Sequence, residues 1–171
     1  MEPHLICAVS VHMLKGDGTM PHKESDAAAW ISSWIEAWGN PIVQYVFVIV
    51  LNEKIAQDIS QEAFWRLLKS RQQDANRIHK PTWLFSVART LAMSQKQSLR
   101  TVIVEDDDAN SSNISRVWQI LEPADREVVW LFFYQRWPIK QIAIHVDQPI
   151  ETVQTRLFLA KERLQSLGRN F

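Results

Sequence analysis

The chain has one cysteine, four glycines and no net charge, and each scarcity excludes something. A lone Cys7 cannot build an intramolecular disulfide framework and suits a reducing interior. The glycines are too dispersed to make a loop that cradles phosphates, and neither a Cys/His nor a Ser/His constellation is visible. His4, Cys7, His12 and His22 fit no compact zinc spacing, so no metal and no cofactor are expected. The longest apolar run, Ile42 to Leu51, is broken by Gln44 and is about half the length of a membrane span. No basic leader precedes "LICAVSV". These features predict a cytoplasmic protein that neither enters a membrane nor catalyses a reaction. Nineteen basic and nineteen acidic residues balance, so any nucleic-acid surface must come from local segregation of charge.

What is present is helical. Residues 1–24 carry Gly and Pro with no sustained period and read as a flexible arm. Ser25 or Asp26 can cap a helix bearing Trp30, Trp34 and Trp38 at i, i+4, i+8, three of eight tryptophans. The spacing marks a core face. Gly39-Asn40-Pro41 is expected to interrupt this helix, with 42–51 resuming as a buried one. Asn52 then caps a helix to about Ser70, with Ile55, Ile59, Ala63 and Leu67 as its buried stripe. A second stripe, Asp58, Gln61, Glu62 and Trp65, lies on a different face and puts a large aromatic among polar and acidic side chains. Pro81 suits a first helical position, and the helix that follows to about Arg100 holds Arg89, Lys96 and Arg100 and no acid. Leu84, Val87, Ala88 and Leu91 form its buried side. Residues 101–113, "TVIVEDDDANSSN", read as a linker.

Beyond the linker come a short helix over 114–121, a helix opened by Pro123, and two segments parted only by Asp147-Gln148-Pro149. So short a turn between amphipathic helices predicts a helix-turn-helix. Ile139, Ile142, Ala143 and Val146 set the inner face of the first helix. Val153, Leu157, Ala160, Leu164 and Leu167 set that of the second. Gln154, Thr155, Arg156, Lys161 and Arg163 lie on the outer side, donors suited to phosphates and base edges. Phe158 and Leu159 also point outward and fit either the duplex or a protein partner. His79 and His145 are read as surface or packing residues that stand alone.

Two stretches together resemble the extracytoplasmic-function sigma factors of bacterial RNA polymerase. "DISQEAFWRLLKS" with "PTWLFSVARTLAMSQKQSLR" is similar to their second region, and "LEPADREVVWLFFYQRWPIKQIAIHVDQPIETVQTRLFLAKERL" to their fourth. The resemblance implies an all-α protein of two small helical domains, 25–100 and 114–171, joined by the acidic linker. It implies a non-enzymatic initiation factor that binds core RNA polymerase and directs promoter recognition and opening. Asp58, Gln61, Glu62 and Trp65 would meet the polymerase. Lys80, Trp83, Arg89, Thr90, Lys96 and Arg100 would hold the unpaired −10 strand, with the 71–80 loop. Thr152, Gln154, Thr155, Arg156, Phe158, Lys161 and Arg163 would read the −35 element. An anti-sigma factor is the expected regulatory partner. The sequence departs from the family where Thr90 replaces a common Asn and Ser94 an Asp, and where Gln154, Phe158 and Leu159 stand at positions that favour Lys, His and Arg. Fewer cations release fewer counterions and lower salt-dependent affinity. A helix-turn-helix regulator that never touches polymerase, and a degenerate polymerase-binding co-factor or inhibitor, are the competing readings.

Overall fold

In the computed structural model, residues 22–74, 77–99 and 118–168 are described, and among them all regular structure is helical. The helices are α1 (His22–Val50), α2 (Glu53–Gln73), α3 (Pro81–Leu99), α4 (Pro123–Phe133), α5 (Ile139–Val146) and α6 (Ile150–Gly168). A single helical turn at Trp118–Ile120 precedes α4. Of the arm expected over 1–24, residues 1–21 lie outside the described residues, as does the linker at 101–113, while 22–24 belong to the first turn of α1.

The first correction concerns α1. Gly39-Asn40-Pro41 does not break it; the helix runs through as 29 residues with Pro41 inside. An interior proline costs about 3 kcal/mol through its missing N–H and its clash with the preceding turn. Ile42, Tyr45, Val46 and Ile49 follow at i, i+3, i+4, i+7, and all are buried. Burying each such side chain stabilises by about 1.5–3 kcal/mol, so packing outweighs the proline. The chain turns instead at Leu51, whose φ of 57° is the left-handed region a leucine enters only when context demands it. Asn52 caps α2 as expected: its Oδ1 accepts the Ile55 N–H at 2.9 Å.

Helices α1, α2 and α3 pack on one another, with Ile59, Ala63, Leu67, Leu84, Phe85 and Ala88 between them. Helix α4 is buried nearly all round. Asp125, Glu127, Val128, Val129, Trp130 and Leu131 are all inside, the mark of a central helix. It touches α5 and α6 on one side and α1 on the other. Trp130 meets Tyr45 of α1 and Phe85 of α3 at centroid distances of 5.4 and 6.0 Å. The two halves expected as separate domains therefore share one hydrophobic core.

The helix-turn-helix is formed by α5 and α6. Asp147, at φ 55°, makes the sharp turn, and its N–H and that of Gln148 both reach the Ala143 carbonyl. Asp is among the few non-glycine residues that tolerate this conformation. Ile142, Ala143, Val146, Val153 and Ala160 are buried, while Ile139, Leu157 and Leu164 are half-buried.

Gly39 lies in a helix interior with ordinary backbone, and an added Cβ would meet Ile35 Cγ2 at 3.5 Å, normal van der Waals contact. Gly39→Ala is expected to raise stability by about 0.5–1 kcal/mol, read as a higher urea midpoint at unchanged m-value.

Candidate nucleic-acid interface

Three groups of functional side chains were expected, and the fold treats them differently. The stripe on α2 is open to solvent. Asp58 and Gln61 are exposed, Glu62 is half-buried, and Trp65 retains 51% of its surface. Glu62 receives Arg66 Nε at 2.8 Å across one helical turn, and Lys69 Nζ lies 5.9 Å from the Trp65 ring centroid. The opposite face of α2 goes into the core through Ala56, Ile59, Ser60, Ala63, Phe64, Leu67 and Leu68.

On α3 and the loop before it, Lys80 and Thr90 are exposed. Trp83 is half-buried, its ring 5.2 Å from that of His79, which in turn lies 5.9 Å from Trp30. Arg71 sits 5.2 Å from the Trp30 centroid, a cation–π distance. Burial, and then the nearby Arg77 and Arg71, lower the His79 pKa and keep the ring neutral in this aromatic cluster. The side chains of Lys96 and Arg100 lie outside the described residues.

Arg89 is the exception on this helix. Its Nε donates to Glu127 Oε1 at 2.8 Å, and one terminal nitrogen lies 3.4 Å from the Val146 carbonyl, in the last turn of α5. Glu127 is 2% exposed. The same oxygen accepts the Tyr45 hydroxyl at 2.5 Å, and Tyr45 Oη is 2.8 Å from His145 Nε2. The Tyr45 hydroxyl proton is given to Glu127, so His145 Nε2–H donates to the Tyr45 oxygen. That chain of donors assigns the histidine tautomer. Burial first, then the charge of Arg89, pushes the His145 pKa down to about 4. Burial and the adjacent carboxylate hold the Tyr45 pKa well above its ordinary value. His145 thus does not stand alone, as the sequence suggested; it belongs to a polar cluster that ties α1, α3, α4 and α5 together.

On α6, Gln154, Thr155, Phe158 and Lys161 face solvent, Phe158 with 62% of its surface exposed, and Thr152 is half-buried. Two expected readers are engaged with the protein. Arg156 donates to Asp125 Oδ1 at 2.9 Å, and Arg163 lies 3.3 Å from Oδ2 of the same buried carboxylate. Arg156 is half-buried, and its Nε has no hydrogen-bond partner among the described residues. Asp125 therefore orients two guanidinium groups of α6, that of the half-buried Arg156 and that of the exposed Arg163. They border an open concavity of about 470 Å³ together with Glu122, Glu151, Thr155 and Leu159.

Sequence reasoning missed Asp125, Glu127 and Tyr45. A signal existed: both acids sit in "PADREVVWLFF", a helix too apolar to have a solvated side, so charges within it had to be paired inside. Among the described residues no group of His, Cys, Asp and Glu is arranged to hold a metal ion, and no helix is long and apolar enough to cross a membrane.

Residues 113–164 match the sigma-70 region 4 family. The fold is similar to that of the sigma factor RpoE from Bartonella quintana, solved with the anti-sigma factor NepR. The TM-score is 0.65 and the identity 16%, over 80% of this chain and 95% of that one. It is also similar to CnrH, solved with the cytosolic domain of CnrY, at TM-score 0.63 and 16% identity over 85% and 94% of the two chains. No curated protein matches the sequence.

His145 gives a test of the polar cluster. Its folded pKa lies below the unfolded value of about 6.5, so its neutral form contributes stability above that pH. The contribution is lost as pH falls through 6.5 toward 4. The native protein is expected to lose roughly 2–3 kcal/mol more than His145→Gln over this interval, measured as the difference in urea stability at each pH.

Proposed function

We infer, from a sigma-70 region 4 domain carried in a sigma-factor fold, that this chain is an alternative sigma factor of the extracytoplasmic-function type. It binds core RNA polymerase in the cytoplasm, brings it to a promoter and helps open the duplex, with no catalytic step of its own. The observation that carries the reading beyond a DNA-binding module is the stripe on α2. A regulator that reads DNA alone has no use for Trp65 standing in water beside Asp58, Gln61 and Glu62. A partner that buries an aromatic anchor and pairs the acids does.

The division of labour follows from the placement of side chains. The outer face of α6 offers Gln154, Thr155 and Lys161 to the −35 duplex, with Phe158 able to meet apolar base edges. Arg156 and Arg163, held by Asp125, swing to phosphate when DNA competes for them. Across an open cavity from α5, Trp83, Lys80 and the loop before α3, with Thr90 further along that helix, serve the unpaired −10 strand through stacking and backbone contacts. The protein solved with NepR and the one solved with CnrY support an anti-sigma factor as a further partner. Exposed Phe158 and Leu159 are apolar surface such a partner can cover. The thinned cations favour one second reading, a polymerase-binding inhibitor that holds the enzyme without opening a promoter.

Gln61→Ala with Trp65→Ala is expected to weaken the complex with core polymerase by at least about tenfold, as hot-spot truncations do. Co-elution equal to that of the native chain removes this face from the docking surface. Run-off transcription with core polymerase on fragments of the host genome is expected to give discrete products. A stable complex that yields none supports the inhibitor reading instead.

A further inference from the structure

The open cavity between the loop before α3 and the start of α5 has a volume of about 750 Å³, ordinary for a small-molecule site. Its charge is not ordinary for this chain. Arg77, Lys80 and Lys140 line it and no aspartate or glutamate does, although acids equal bases over the whole sequence. All three cations are exposed, and none forms an ion pair among the described residues. Like charges around one concavity repel one another and raise the local concentration of anions. Among the described residues no group is arranged to hold a metal ion, so an anionic ligand meets these cations directly.

The walls are aromatic. Trp83 stands edge-on to His79 at 5.2 Å on one side, and Trp137 edge-on to His145 at 5.1 Å on the other. The exposed side chain of Ile144 belongs to the same lining. Ring faces and aliphatic surface suit a flat π system, and a base stacks on an aromatic side chain whatever its edge carries. One acceptor is also left over. His145 Nε2–H donates to Tyr45, so Nδ1 carries a lone pair. Ser86 Oγ is 3.4 Å from it, but the single hydroxyl proton goes to the nearer Thr82 carbonyl at 3.0 Å. Nδ1 therefore awaits a donor, and the amine or ring N–H of a purine supplies one.

We propose that this cavity binds a free purine nucleotide, its base against the Trp83 and Trp137 walls with an N–H donated to His145 Nδ1, and its phosphates on Arg77, Lys80 and Lys140. The site stands on its own geometry and does not need the sigma-factor reading. Where that reading holds, the nucleotide competes with the unpaired strand for Trp83 and Lys80, and promoter opening becomes sensitive to nucleotide concentration. The far wall separates the two ligands, because Trp137, Lys140 and His145 are no part of the strand-binding surface.

Equilibrium dialysis of the full chain against ATP and, separately, GTP, with a metal chelator present, reads the site directly. One of them should bind saturably, one molecule per chain. Tripolyphosphate should bind at least about tenfold more weakly, since it makes no stacking contact. Lys140→Glu should weaken the nucleotide at least about tenfold, as loss of a charge-assisted contact does. Lys54→Glu alters net charge equally from the opposite end of α2 and should leave binding within about twofold, its charge being screened by salt. Lys140→Glu should also spare whatever affinity the chain has for a single-stranded deoxyoligonucleotide. No saturable uptake of either nucleotide at about 1 mM overturns the site. So does tripolyphosphate binding as tightly, or an equal loss in Lys54→Glu. Equal weakening of nucleotide and oligonucleotide by Lys140→Glu makes the cavity part of the strand-binding surface and overturns the free ligand. Absence of run-off transcription counts against the sigma-factor reading alone and leaves the dialysis result standing.

Discussion

A single buried carboxylate organises this molecule. Glu127 lies on a helix with almost no solvated side, and it is tolerated there because two elements bring it donors, α3 through Arg89 and α1 through Tyr45, while the α5 histidine donates in turn to Tyr45. Taking a charge out of water costs several kcal/mol unless its hydrogen bonds are replaced. The requirement works in both directions. The carboxylate needs the first three helices, and the arginine and tyrosine have their polar atoms satisfied by the second module.

Around that contact the aromatic residues form a continuous wall. Tyr45, Phe85, Trp130 and Trp137 meet in tilted and edge-on pairs at 5.1 to 6.0 Å, geometries that suit ring quadrupoles. Large rigid rings fill the space between helices that cross without a shared register. They also exclude water from the ion pair and so raise its strength and its specificity. The tryptophans divide by role: Trp130 and Trp137 are buried in the junction, and Trp65 alone among the described ones is largely exposed.

The same logic governs α6. Asp125 and Glu127 are two residues apart on α4 and face different neighbours, the former taking Arg156 and Arg163, the latter Arg89. One short helix therefore holds three of the arginines that a nucleic-acid surface would use. Net charge is zero over the chain, and at these sites two carboxylates offset two of the three arginine charges. Lys80 and Lys161 stay exposed beside uncharged donors, and so few free cations would release few counterions from a nucleic acid.

Much of this was legible in the sequence, for reasons that are local. Asn52 as a cap, the core stripe of α2, the opposed exposed stripe ending at Trp65, and the tight turn at Asp147 all follow from spacing within about one to five helical turns. So did the outward placement of Phe158 and Leu159. Local rules failed at Pro41, where proline and glycine signalled a break that a strongly buried segment overrode. They failed too at His145, which looked solitary because its partner Tyr45 is 100 residues away in the chain. Spacing identified which side chains leave the core; it carried no information on which distant charge each would meet. Only the tertiary structure decided that Arg89, Arg156 and Arg163 are held by carboxylates and that two modules share one interior. Pairing across long separations depends on how helices cross, and no periodicity encodes that.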